Sequence, residues 1–241
     1  TPTNYTAASG NNGGNYCTWN PLCKGSTTTL SNGNLDMSSG NSWKSVVATI
    51  GATSGKWYWE QSMTTHQHSY TGICNQDFLG SVESKWPGQT VNSWSYLTSN
   101  GMAKNDQAGG SEVAVTLTTM NTNGGVIGFA LDLNQKLWFA LNGVWMGSGS
   151  TDPATGTSPA FTNLVSGDTY FPCADVYGAS ASFNFGQRPF KYTPPTGFVS
   201  LCTTNLPDPT IADGSTAFDV ALYTGTRANQ VLTFGMQPDF V

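Results

Sequence analysis

The stretch VIGFALDLNQKLWFALNGVWM, residues 126–146, constrains the fold of this chain more than any other. Ile127, Phe129 and Leu131 alternate with Gly128, Ala130 and Asp132; Asn134-Gln135 marks a turn; Leu137, Phe139 and Leu141 resume the alternation. Side chains on a strand point to opposite faces with a period of two, so each apolar triplet lines one face of a sheet. Asn142-Gly143 then supplies a second turn, the dipeptide best suited to the positive φ angles of a tight hairpin, and leads into Val144–Met146. Two consecutive hairpins place the chain among antiparallel β-proteins. Composition agrees. Charged residues make up 10% of the 241 and Glu occurs only at positions 60, 83 and 112, which leaves little material for solvent-facing helices. Aromatics at 12%, with eight Trp, argue against disorder.

Other segments read as strands around this pair. Leu30–Met37 is broken by the turn pair Asn32-Gly33, and Val46, Val47 and Ile50 follow. In GKWYWEQSM (55–63), Trp57, Trp59 and Gln61 share one face and Tyr58, Glu60 and Ser62 the other. Ser69–Cys74, Trp94–Leu97, Val113–Leu117, Tyr170–Ala174 and Ser180–Phe185 complete the set. The alternation predicts burial of Trp57, Phe129, Leu131, Trp138, Phe139, Phe183 and Phe185. Residues 1–16 are polar and rich in Gly and Asn, an arm without a core of its own. Residues 17–200 form the sandwich. Residues 201–241 read as a linker and the first strands of a second β-domain, Phe218–Tyr223 and Val231–Phe234, too few to bury a core alone.

The net charge is −5, and nine Lys and Arg are scattered singly, so no stripe tracks a nucleic-acid backbone. No apolar run approaches the length of a membrane-spanning helix. The sequence opens at Thr1 without a basic-plus-apolar leader and reads as starting inside a longer chain or after processing. Five Cys without a CxxC pair read as reduced thiols, several of them buried; a Cys17–Cys23 disulfide is the alternative.

Four segments, GKWYWE (55–60), TGIC (71–74), GVIGFALDLNQKLWFALNG (125–143) and YFPCADVYGASASFNFG (170–186), resemble a SPRY domain in order and spacing. Two features depart from that family's pattern: Val126 stands where an acid is frequent, and the 148–160 loop is enlarged. The resemblance implies an antiparallel, concanavalin-type β-sandwich whose end loops form the binding surface. The tail GQRPFKYTPPTGFVSLCTTNLPDPTI (186–211), with FDVALYTG (218–225) and GMQPDFV (235–241), is similar to a stretch common in large bacteriophage virion proteins. That likeness implies a tail fibre or a surface protein of head or tail, exposed on the particle and assembled with copies of itself, most simply as a trimer, and with other virion proteins.

Candidate chemistry is sparse. Glu60 reads as a cross-strand partner; as half of a glycosidase pair it would need Glu83 or Asp77 about 5–9.5 Å away, and nothing in the sequence places them there. His66 and His68 share a strand face without a third metal ligand. Asp132 could serve as a calcium acid but precedes a turn and reads as its cap, and Asp106 and Asp152, in Gly/Ser-rich loops, add little to a calcium site. No G-x-S-x-G, Walker or G-x-G-x-x-G element occurs. No catalytic residue, cofactor or metal is therefore expected. The aromatic residues in or near loops, Trp86, Trp94, Tyr96 and Trp145, are the candidate ligand platform, suited to stacking on a sugar ring or a protein partner. The expected function is a non-enzymatic virion component displaying a binding domain. A glycan-gripping host adhesin, a polysaccharide-degrading enzyme and a peptide-recognising cellular adaptor are the alternatives.

Overall fold

The computed structural model describes residues 14–106, 117–120, 122–207 and 217–235. The expected arm (through residue 13) and most of the Val113–Leu117 strand lie outside them. Among the described residues the strands are β1 (Trp19–Lys24), β2 (Thr28–Ser31), β3 (Asp36–Ser39), β4 (Val46–Ala48), β5 (Lys56–Thr65), β6 (His68–Asn75), β7 (Ser93–Leu97), β8 (Met102–Asn105), β9 (Val126–Asp132), β10 (Lys136–Leu141), β11 (Val144–Trp145), β12 (Tyr170–Tyr177), β13 (Ser180–Asn184) and β14 (Val199–Ser200). They form two sheets. One runs β1-β4-β12-β6-β7-β8; the other runs β11-β10-β9-β5-β13-β3-β2, with β14 added beside β5. Pairing is antiparallel except between β14 and β5, which is parallel.

The core lies between the sheets and follows the period of two. Trp57, Trp59 and Met63 of β5, Phe129 and Leu131 of β9, Phe139 of β10 and Phe183 of β13 point inward against Tyr96 of β7 and Tyr170 of β12. Trp59 and Phe129, opposite each other in register, stack at 4.9 Å. All seven side chains expected to be buried are at most 1% exposed. Trp138 differs from the other six in where it is buried. It faces outward from the second sheet and packs with Tyr58, Ala130 and Phe198 under the Pro-rich exit.

That exit is fixed by one buried carboxylate. Glu60 accepts hydrogen bonds from the Tyr58 hydroxyl (3.0 Å) and from the backbone N–H groups of Lys191 and Tyr192 (2.8 Å each). Its partners are thus the returning tail and not a cross-strand residue. Removing a buried acceptor strands its donors, at about 1–3 kcal/mol. Glu60→Ala is therefore expected to lower stability by about 3 kcal/mol and to speed tryptic cleavage after Lys191; urea unfolding and timed proteolysis measure both.

The turns show why certain residues stand where they do. Asn142 (φ 50°) and Gly143 (φ 81°) take the paired positive angles of a tight hairpin, and a Cβ at Gly143 would run into the Tyr192 ring. The β9–β10 turn uses Leu133–Gln135, and Asp132 Oδ1 accepts the Asn134 N–H at 2.9 Å while Oδ2 pairs with Lys56 at 3.3 Å.

Three strands went unread in the sequence. β1 and β8 lack an apolar alternation, and β14 is two residues held by pairing alone. Two compact units divide after Leu206, so residues 201–206 of the expected linker fall within the first unit. Cys17 N–H donates to Leu201 O and Thr203 N–H to Asn15 O, and Tyr16 bridges Cys202, so the end of the expected arm is paired into the fold. In the second unit, residues 217–235 form no ladder. Phe218, Val220, Leu222 and Val231 are exposed, and neither of the two strands expected there forms among the described residues; a two-stranded ribbon is marginal in water on its own. The five cysteines are free thiols. Cys17 precedes β1 and Cys23 lies within it, and burial pushes the Cys17 thiol up to about 12.

Candidate binding surface on the six-stranded sheet

The outward face of the six-stranded sheet carries an unusual set of side chains. Along β12, Ala174 and Val176 point into the core, so Cys173, Asp175 and Tyr177 point outward. Opposite them in register on β6 stand Gly72, Tyr70 and His68. Two loop residues cover this array. Trp43 stacks on Tyr177 at 4.3 Å and meets Tyr70 at 5.3 Å and His68 at 5.9 Å. Trp86 stacks on Tyr70 at 5.7 Å and touches Trp43 at 5.9 Å. The result is one continuous patch of five rings, in which Trp43, His68, Trp86 and Tyr177 are half-buried and Tyr70 is buried.

The two loops that carry the tryptophans are cross-linked. Ser45 N–H donates to Val82 O at 2.9 Å and its hydroxyl to Lys85 O at 2.6 Å. Lys44 pairs with Glu83, which also accepts the Ser26 N–H at 2.7 Å. The Lys44 ammonium, then the Ser26 donors, hold the Glu83 carboxyl down at about 2. Glu83 thus serves as a clasp between loops and is not a partner for Glu60, which lies on the outward face of the other sheet.

Beneath the rings sits a carboxyl group without company. Asp175 is 0% exposed and neither of its oxygens has a hydrogen-bond partner. Removal from water pushes it up to about 8. The Trp86 indole N–H is also buried without a partner. Buried polar groups are nearly always satisfied, so two orphans under one patch call for an explanation.

Of the four candidate ligand residues, Trp86 belongs to this patch and the others do not. Trp94 and Tyr96 alternate into the core, where the indole donates to Asn163 Oδ1 at 2.9 Å and the phenol to Thr118 O at 2.5 Å. Both are expected as ligand residues near loops and are core instead, on the inward face of β7, which is paired on both sides by β6 and β8. Trp145 is half-buried against Tyr58 at 6.3 Å on the outward face of the other sheet. The four therefore do not assemble into one surface. Of the residues that join Trp86, Trp43, Tyr70, Asp175 and Tyr177 went unnoticed in the sequence, and His68 stood out only beside His66 as a metal ligand. A usable signal was present in PCADVY, where an acid interrupts an apolar strand two residues before a Tyr. His66 lies at the β5–β6 crossover, apart from this ring cluster, and burial, then the His68 charge, lowers its pKa. A second concavity, about 470 Å³, runs beside β14 between Tyr16, Arg188, Phe190 and Asn205. Among the described residues no three His, Cys, Asp or Glu converge as a metal site.

A sandwich with bracketed loops and a ring-covered outer face has the layout of a recognition module. The SPRY domain family profile matches residues 56–188, more than half of the chain, so this chain belongs to the SPRY family. SPRY domains are binding modules that mediate protein–protein interactions. The chain is 38% identical over 78 residues to the ATP-dependent RNA helicase Ddx1 of Drosophila melanogaster, a match covering 32% of this chain and 10% of that protein. It superposes on the crystal structure of the SPRY domain of human HERC1 with a TM-score of 0.53 and 18% identity, covering 71% of this chain and 99% of that one. At that identity the likeness speaks for the fold.

Proposed function

We propose that this chain is a non-enzymatic binding component of a bacteriophage particle, a SPRY domain carried on a fibre or on the surface of head or tail, whose outward aromatic patch takes a protein partner. The observation that carries the binding reading is the half-buried ring cluster of Trp43, His68, Trp86 and Tyr177 on a cross-linked bracket. Aromatic side chains concentrate the energy of protein interfaces, and a rigid bracket reduces the entropy lost on docking. The virion placement is supported by the likeness of residues 186–241 to phage structural proteins. The unpaired apolar segments of residues 217–235 favour assembly with further copies of the chain, as a trimer. A non-enzymatic role is supported by Glu60, the carboxylate of the WYWE strand, which is fully occupied in holding the tail.

Antibody raised against residues 14–206 tests the placement. It is expected to decorate intact particles of the phage that encodes the chain, and the purified protein is expected to compete with those particles for adsorption. Protein found only in the soluble lysate, with bare particles, would overturn the proposal. Trp43 and Trp86 also favour a second reading, a surface glycan stacked on the indoles; binding on a glycan array that is lost in Trp43→Ala would put it first.

A further inference from the structure

We propose that the patch reads an arginine side chain of its partner, with the guanidinium lying on the Trp43, Trp86 and Tyr70 rings and Asp175 as its counter-ion. The inference rests on the binding-surface reading above and names its chemistry. Its first support is the orphaned carboxyl. A group that is 0% exposed and lacks any partner costs stability, and a fold without use for it is better served by an apolar residue of the same size. Its second support is position. Asp175 lies in register with Tyr70 and next to Tyr177 on the outward face, and these two residues are the ones Trp43 and Trp86 pack against. Ring faces carry negative potential and attract cations, and the attraction grows when water is excluded. A guanidinium adds what an ammonium lacks, a flat face for the indoles and a fork of N–H donors that matches a carboxylate.

Access to Asp175 requires one ring to turn. The Trp86 indole N–H has no partner, so no hydrogen bond opposes that rotation, while the Lys44–Glu83 and Ser45–Lys85 links keep the loop backbones in place. The titratable and charged groups around the site are Cys173 and Tyr177 on β12, His68 and Tyr70 on β6, and Lys44, Glu83 and Lys85 on the two loops. The two nearby lysines do not compete for Asp175 as it stands, since its oxygens are unpaired. Arrival of the guanidinium displaces the proton that the buried carboxyl otherwise holds, so binding tightens as pH rises.

The test titrates the protein with acetyl-Gly-Arg-Gly-amide and with its neutral citrulline counterpart, following the indole N–H resonances of Trp43 and Trp86. The arginine peptide is expected to shift both resonances and to bind about tenfold more tightly than the citrulline peptide. Its affinity is expected to rise between pH 6 and pH 9 in the wild type and to stay flat in Asp175→Asn. Equal binding of the two peptides, or a pH profile unchanged in Asp175→Asn, would overturn the inference. If Trp43→Leu abolishes partner capture or particle adsorption while the arginine peptide moves no indole resonance, the arginine inference falls and the binding surface stands. An arginine response that needs Asp175, in a protein absent from particles, upholds the inference and removes the virion placement alone.

Discussion

Asp175→Asn is expected to make the fold more stable at pH 7 and to flatten its stability across the range in which the wild type weakens. In the folded wild type the carboxyl keeps its proton up to about pH 8, against an ordinary value of 3.8, because burial penalises the charged form. The unfolded chain releases that proton from about pH 4 upward. Between these limits the folded state binds more protons than the unfolded one, so stability falls as pH rises. It is fully present below about pH 4, lost progressively up to about pH 8, and level above that; the total loss is on the order of 5 kcal/mol. Asparagine has the same shape and no proton to hold. Urea unfolding across a pH series reads the effect directly: a falling line for the wild type and a nearly level one for Asp175→Asn. Parallel lines would show that another group sets the slope.

Phe129→Ala is expected to lower stability by about 3–5 kcal/mol. The ring is 0% exposed, lies parallel to Trp59 within 4° and meets Phe139 edge-on at 5.7 Å. Truncation removes its burial and leaves a void between two rings that cannot close around it, since each is fixed by a fully paired strand. A domain of ordinary stability has about 5–15 kcal/mol in all, so the variant should melt well below the wild type. Val144→Ala, at a position 70% exposed, is the control and should change stability by no more than about 0.5 kcal/mol. Comparable losses in the two variants would mean that the sheet faces are misassigned.

The elements legible in the sequence were those whose signal is local. Alternation in β5, β9, β10 and β13 and the Asn142-Gly143 turn need no knowledge of the rest of the chain. β1, β8 and β14 could not be read this way, because they are strands by virtue of their neighbours. Phe218–Tyr223 shows the converse: alternation alone does not make a strand when no second edge is supplied. The candidate site failed for a related reason. Trp94–Leu97 reads as a short strand near loops, but nothing local tells which of its faces is covered, and both Trp94 and Tyr96 lie on the core side. Trp43, Tyr70, Asp175 and Tyr177 come from three separate stretches of chain, and only the register of β6 with β12 brings them under one roof. Trp86 was legible only as a loop residue, from the Pro87-Gly88 pair that follows it.

The pairing of residues 15–17 with 201–203 determines how this domain responds to load. The chain enters and leaves the sandwich at neighbouring points and in opposite directions, joined by the Cys17–Leu201 and Thr203–Asn15 backbone bonds. Tension applied to the two ends pulls on these bonds one after another, as a zipper opens, instead of shearing a whole ladder at once. The sandwich itself stays out of the line of force. With force applied at these two ends, β5 with its core contacts bears tension only after the short seam has parted.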